Sequence, residues 1–346
     1  MEQPTNKQTG HEYIAAEEAA IIAEMIEEMQ NQLTALYEKT KMLRQVHTKM
    51  HGCVKAAFTV MPDLAPELRT GVFKEPITYP AWIRFSNANT VVQADKKKDI
   101  RGIAIKLMNV PGEKLLNDKR FEQTQDFLLM SSETFFSKNI EQFKGTLKAA
   151  TAKNKLKLAL YFLNPLHWGL VKRILKSNIA CNNPLEIPYW STQPYQFGDE
   201  STAVKYFLKP ATGNKLVNDN TTDYNYLRTN LAKTLQSNEI QFDFFVQFQT
   251  DAEKMPIEDP RVAWTSPFIK VAEIKILKQV FDTPAQTEFG DNLSFNIWHS
   301  LPEHRPLGSF NRARKHAYEA LSKFRFDRNQ VKDTEPVAGA DFFKTI

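Results

Sequence analysis

The run QFDFFVQFQT, Gln241 to Thr250, alternates with a period of two. Phe242, Phe244, Val246 and Phe248 fall on one face, and Gln241, Asp243, Gln247 and Gln249 fall on the other with Phe245. That spacing suits a strand with one face in an apolar core, because successive side chains of a strand point to opposite sides. Other strand-like runs surround it: CVKAAFTV, TYPAWIRFSN, IRGIAIKLM and DFLLMS before it, VKYFLKP just upstream, and VAEIKIL after it. Helical composition, without Pro or Gly, marks residues 13–46. Helix is also predicted over 144–176 and 312–328. Helix, strands, helices, strands, helix is an α+β pattern, with enough strands for an antiparallel barrel or a large curved sheet. Residues 1–12 read as disordered and 13–346 as one domain, with the barrel over about 50–280.

Composition narrows the class. Of 346 residues, 42% are hydrophobic and 25% charged, which is globular. The 24 phenylalanines suit a core or pocket that stays dry. The net charge of +5 is mild, and no basic-aromatic repeat or nucleic-acid motif is present, so no nucleic-acid partner is expected. Two cysteines, Cys53 and Cys181, and an N-terminus without an apolar stretch point to the cytoplasm. The longest apolar run, Leu156 to Val171, is interrupted by Lys157, Asn164 and Pro165 and is too short to span a bilayer.

Three places carry chemistry. In the C-terminal helix, Arg314, Tyr318 and Arg325 are spaced four and seven residues apart and share one stripe. A surface tyrosine packed on arginine fits that pattern, and so does a tyrosinate metal ligand. A phenol with a pKa of about 10 binds as phenolate only with help from a cation or guanidinium. In AWIRFSN, Trp82, Arg84 and Ser86 share a face opposite Ala81, Ile83 and Phe85. By periodicity alone a solvated face is the commoner outcome, and a polar site is the alternative. His47 and His51 stand four apart at the end of the first helical pattern, without an H-E-x-x-H motif, and Cys53 reads as a small buried residue.

These segments together resemble the haem catalases. The stripe R-x-x-x-Y with a further Arg seven residues on is similar to the proximal helix of that family. RQVHTK, with Arg44 and His47, resembles its distal segment, and WIRFS resembles its V-R-F-S strand. The separation of 37 positions from His47 to Arg84 fits without a gap. DIRGIAIKL resembles its D-x-R-G-x-A-x-K strand, and DFLLMSSETFF its pocket segment. The matches keep their order from residue 44 to about 328, although between about 180 and 310 the likeness is architectural. The chain is shorter than a full-length catalase and resembles compact bacterial catalase-related haem peroxidases.

The resemblance implies an antiparallel eight-stranded barrel with surrounding helices and a haem b cofactor. It implies Tyr318 as the axial iron ligand, Arg314 as the group keeping it ionised, and His47 as the distal acid/base with Ser86 on its other ring nitrogen. Arg44, Arg84 and Arg325 would hold the propionates, and Phe135, Phe136 and Phe143 would line the distal pocket. The substrates implied are hydrogen peroxide or an organic hydroperoxide with a small reductant. A non-catalytic haem carrier or sensor, and a lipid-hydroperoxide isomerase or dehydratase of the allene oxide synthase type, are the alternatives.

The chain departs from the family at one position. Where catalases carry a distal Asn, alignment of the Phe-Phe pairs puts Met130 or Ser131. Ser131 could donate one hydrogen bond and Met130 none, so weak catalase and better peroxidase activity is expected. Separately, Lys144 to Lys176 holds eight Lys/Arg and no acid around YFLNPLHW. A solvated cover over the barrel and an interfacial helix pair touching membrane or lipid are both open. Oligomeric state is open as well, with a homodimer as one reading.

Overall fold

The computed structural model describes residues 7–151, 160–219 and 221–344. Its strands are β1 (Lys49–Val60), β2 (Thr78–Asn87), β3 (Arg101–Met108), β4 (Thr124–Met130), β5 (Tyr189–Trp190), β6 (Tyr195–Phe197), β7 (Asp199–Pro210), β8 (Ile240–Phe248) and β9 (Phe268–Ile276). Its α-helices are α1 (Glu18–Leu36), α2 (Ile140–Thr151), α3 (Trp168–Ser177), α4 (Tyr226–Ser237), α5 (Pro284–Asn292) and α6 (Ser309–Asn329).

All strand pairs are antiparallel. β1 joins β2 and β9, the order runs β5-β4-β3-β2-β1-β9-β8-β7, and β5 pairs with β7 to close the ring. Eight strands therefore form a closed barrel, with β6 added on β7. Closure pairs the strand edges that an open antiparallel sheet would leave exposed.

Alternation decides what enters the barrel. Phe242, Phe244 and Val246 of β8 are fully buried, as are Ala81, Ile83 and Phe85 of β2. The interior is aromatic: the Phe58 and Phe244 rings lie 5.3 Å apart edge to face, and Phe127 meets Phe244 the same way at 5.3 Å. Packing on this scale, rather than strand propensity, fixes the register.

Outside the barrel, α1, α2 and α6 share a second apolar cluster built on Ile22, Met25, Met29, Ile140, Phe310 and Ala313. Two expectations are corrected here. Residues 7–12, expected to be disordered, are tied down: the Gly10 N–H donates to Gln249 Oε1 at 2.8 Å, and Arg312 of α6 pairs with Glu12 and Glu18. The helix expected over 13–46 spans only Glu18–Leu36. Tertiary contacts override helix propensity beyond it. Asn329 exchanges two hydrogen bonds with the Met42 backbone, and His47 takes a left-handed backbone (φ 56°) and donates its N–H to Ala88 O.

Candidate haem site

The outer faces of β2, β3 and β4 meet α1, α2 and α6 around a cavity of about 430 Å3, within the range of a cofactor pocket. Cross-strand register sets its floor. One row is Arg84–Ala104–Leu128 and the next is Ser86–Gly102–Met130. Period two thus turns R-x-S, G-x-A and L-x-M outward together. The face of β2 carrying Arg84 and Ser86, which periodicity alone would leave in solvent, is covered: both are buried against the helices.

His47 lies over this floor. Its Nδ1 is 3.0 Å from Ser86 Oγ. Its ring packs on Gly102, where any Cβ would come within 2.3 Å of Cε1. Burial, and then the charges of Arg84, Arg314 and Arg44, push the imidazole down to about 3, so it is neutral at ordinary pH.

On the opposite wall α6 presents Arg314, Tyr318 and Arg325 to the cavity. The Arg314 guanidinium carbon lies 5.6 Å from the Tyr318 ring centroid, and Nη1 donates to Asn311 Oδ1 at 3.3 Å. Burial opposes the charge of Arg314, yet the neighbouring phenols of Tyr318 and Tyr195 hold its pKa above the usual value.

Three guanidiniums gather at one end. Arg44 and Arg325 each donate at 3.0 Å to the carbonyl of Asp291, at the C-terminus of α5. Helix C-termini carry unpaired carbonyls and partial negative charge, which explains that attachment. Arg84, 3% exposed, has no hydrogen-bond partner for Nε or Nη2 among the described residues. Burial and the repulsion of Arg44 depress its pKa well below the ordinary arginine value. A buried guanidinium with two idle donors is costly, and an anion entering the cavity would satisfy it.

The aromatic wall consists of Phe135, Phe136 and Phe143. Phe135 and Phe136 stack at 4.3 Å, and Phe310 joins at 4.7 Å from Phe135. Of the predicted site residues, Arg44, His47, Arg84, Ser86, Met130, Phe135, Phe136, Phe143, Arg314, Tyr318 and Arg325 all line this cavity. Ser131 does not, and that expectation is corrected. Its side chain accepts from the Arg101 N–H at 2.9 Å, closing the β3–β4 ladder. Alternation gives the reason: Met130 faces the cavity, so its neighbour points away.

The floor residues Gly102 and Ala104, the wall residue Phe310, and Gln193 were not read from the sequence. Gln193 lines the cavity with its Oε1 buried and without a partner among the described residues. Only the G-x-A spacing on β3 offered a signal. His51, weighed as a metal partner of His47, instead joins a buried network through Asn87 Oδ1 at 2.7 Å. Cys53 is buried on β1 and its thiol is pushed up to about 12 by burial.

No protein-family model and no curated protein matches the sequence. Solved structures do. A fungal catalase superposes with TM-score 0.65 at 15% identity, covering 95% of this chain and 67% of its own. A bacterial catalase gives 0.64 at 15%, covering 88% and 63%. Catalase A from Saccharomyces cerevisiae gives 0.65 at 16%, covering 99% and 75%. The chain thus spans roughly two thirds to three quarters of the length of these structures, and what it shares with them is the catalase fold.

Proposed function

We propose that this protein is a haem-dependent oxidoreductase that acts on hydrogen peroxide or organic hydroperoxides, with peroxidase activity exceeding catalase activity. The observation that carries the reading is Arg84, buried with two donors idle among the described residues and repelled by Arg44 and Arg325, on the wall of a cavity that also holds His47 and Tyr318. That set suits haem b. The arginines would receive the two propionates, the flat Gly102–Ala104 floor and the phenylalanine wall would flank the ring system, and Tyr318 would be the iron ligand. Bound haem iron would supply the redox chemistry on peroxide.

The chain's own contribution is proton handling and exclusion of water. Ser86 at Nδ1 leaves His47 Nε2 as the nitrogen that can take a proton from a peroxide and return it. The imidazole is neutral over the working pH range, which that role needs. The Arg314 guanidinium carbon, 5.6 Å from the Tyr318 ring centroid, sets a cation beside the proposed ligand. The clustered rings of Phe135, Phe136 and Phe143 keep the pocket apolar. Met130, opposite Gly102 in the register, offers no hydrogen-bond donor beside His47. A substrate as small as hydrogen peroxide is therefore less well oriented than one held by apolar contact.

His47→Ala tests the reading against a haem carrier. The enzyme account expects haem uptake to persist while peroxidase turnover falls on the order of 100-fold or more. Full turnover in that variant, or no turnover in the unaltered protein carrying haem, would contradict it.

A further inference from the structure

We propose that the segment 160–177 is a docking surface for an anionic lipid bilayer. In five places within sixteen residues, Leu160, Leu163, Leu166, Trp168 and Leu175, large apolar side chains are 59 to 86% exposed. No other stretch of the described residues concentrates exposed apolar residues so densely. A run of this kind on a water-facing surface marks an interaction site.

The segment is held in place, so the exposure is built in. The indole Nε1 of Trp168 donates to Leu163 O at 3.3 Å, and Asn164 Oδ1 accepts from the Leu166 N–H at 3.0 Å. His167 stacks on Tyr161 with ring centroids 3.9 Å apart. The Tyr161 hydroxyl lies 3.2 Å from Thr146 Oγ1 of α2. These contacts pin the turn that carries the exposed Leu163 and Leu166.

Helix α3 makes the partner specific. Leu170 and Ser177 are its buried positions. Its outward stripe is Trp168, Lys172 and Leu175, spaced four and three apart, with Lys176 adjoining. Trp and Leu interleaved with lysines on one exposed face is the composition of a helix lying in a membrane interface. Lys172 and Lys176 are exposed and make no ion pair among the described residues, and 160–177 contains no Asp or Glu. Free lysines beside exposed Trp and Leu are complementary to anionic headgroups over acyl chains. A two-fold contact of this face with a second copy would bring together two faces that carry lysines and no Asp or Glu.

The surface adjoins the cavity. Arg173 Nε donates to Phe136 O at 2.8 Å, and Ser177 Oγ lies 3.1 Å from Ser132 Oγ. Both contacts strap α3 to the segment that carries the phenylalanine wall. Docking would bring that wall beside the bilayer, where apolar hydroperoxides partition. This substrate class rests on the function proposed above; the docking itself does not.

Co-sedimentation of the 346-residue protein with phosphatidylcholine vesicles, with and without phosphatidylserine, tests the inference. The expected result is binding to the phosphatidylserine vesicles that weakens as salt rises. The double variant Leu166→Glu/Trp168→Glu should lower that binding at least tenfold. Lys172→Glu/Lys176→Glu should abolish the preference for phosphatidylserine. All four positions lie outside the cavity lining, so haem uptake and hydrogen peroxide turnover should be unchanged. Absence of binding by the unaltered protein, or equal binding by both double variants, overturns the proposal. So does a concentration-dependent dimer that Leu166→Glu/Trp168→Glu dissociates, which would assign the surface to a subunit interface. Vesicle binding without haem uptake would leave docking intact and defeat the enzyme reading. Haem uptake without vesicle binding would do the reverse.

Discussion

The ring of His47 rests on Gly102 so closely that a single methyl at that position would stand 2.3 Å from Cε1. The imidazole can keep its 3.0 Å contact with Ser86 only because β3 carries no side chain there. Gly102→Ala should leave the barrel folded, since Gly102 pairs as ordinary strand with Ser86 and Met130. It should displace His47 and lower peroxidase turnover by about one to two decades, equivalent to roughly 1–3 kcal/mol. Turnover of the haem-loaded variant measures this, and turnover equal to that of the unaltered protein would mean that the His47 position is not critical.

Arg84 should respond in opposite directions with and without haem. Its Nε and Nη2 are buried and idle in the protein alone. Arg84→Met should therefore raise the apo-protein unfolding free energy, by roughly 1–3 kcal/mol if the buried orphan donors are the dominant cost. The same change removes a carboxylate partner and should weaken haem binding at least tenfold. Denaturation of apo-protein together with a haem titration reads both. A less stable apo-protein with unchanged haem affinity would show that Arg84 is structural.

Met130 and Ser131 now separate. Met130→Asn places an amide on the cavity face and should increase oxygen release from hydrogen peroxide by about one to two decades. Ser131→Asn removes the acceptor of the Arg101 N–H and should only destabilise the fold. Oxygen evolution and dye oxidation, compared across the three proteins, check this. Oxygen release near the diffusion ceiling in the unaltered protein would defeat the expectation.

Buried neutral histidines should make the fold lose stability as soon as the pH falls below about 6.5. Burial pushes His304 to about 3 and, against the pull of Asp95, His51 to about 4, from 6.5. Between those values the unfolded chain binds protons that the folded chain does not. Stability is thus lost as pH falls from about 6.5 towards 4, at up to ~1.4 kcal/mol per pH unit for each histidine. Glu335 acts in the same direction at lower pH. Burial opposes its charge, but Lys106, His299 and Lys119 hold it far below the usual carboxylate range, so its contribution fades only in acid. Urea midpoints at several pH values between 7 and 4 should fall steadily. A flat profile would contradict the neutral burial of these histidines.

The sequence made seven of the eight barrel strands legible because alternation is a local property, which the two residues of β5 are too few to show. TYPAWIRFSN is β2 to the residue, and QFDFFVQFQT differs from β8 by one or two residues at each end. Covering of an outer face is not local. Nothing in AWIRFSN says that α6, more than two hundred residues later, will roof Arg84 and turn a wet face into a cavity wall. The end of α1 at Leu36 was hidden for the same reason, since Asn329 and the α5 carbonyls draw the following segment away from helix. The choice between Met130 and Ser131 needed only strand phase, which Gly102 opposite Met130 supplies. Gln193 sits in a loop with no periodicity to read.

The central claim is that Tyr318 holds haem iron in the cavity between α6 and His47. The direct measurement is the visible spectrum and haem content of purified protein and of Tyr318→Phe, each loaded with haem b. The account predicts a Soret band and bound haem in the unaltered protein, and loss of haem or a changed spectrum in the variant. No Soret band in the unaltered protein, or a variant that keeps both its haem and its spectrum, would contradict it.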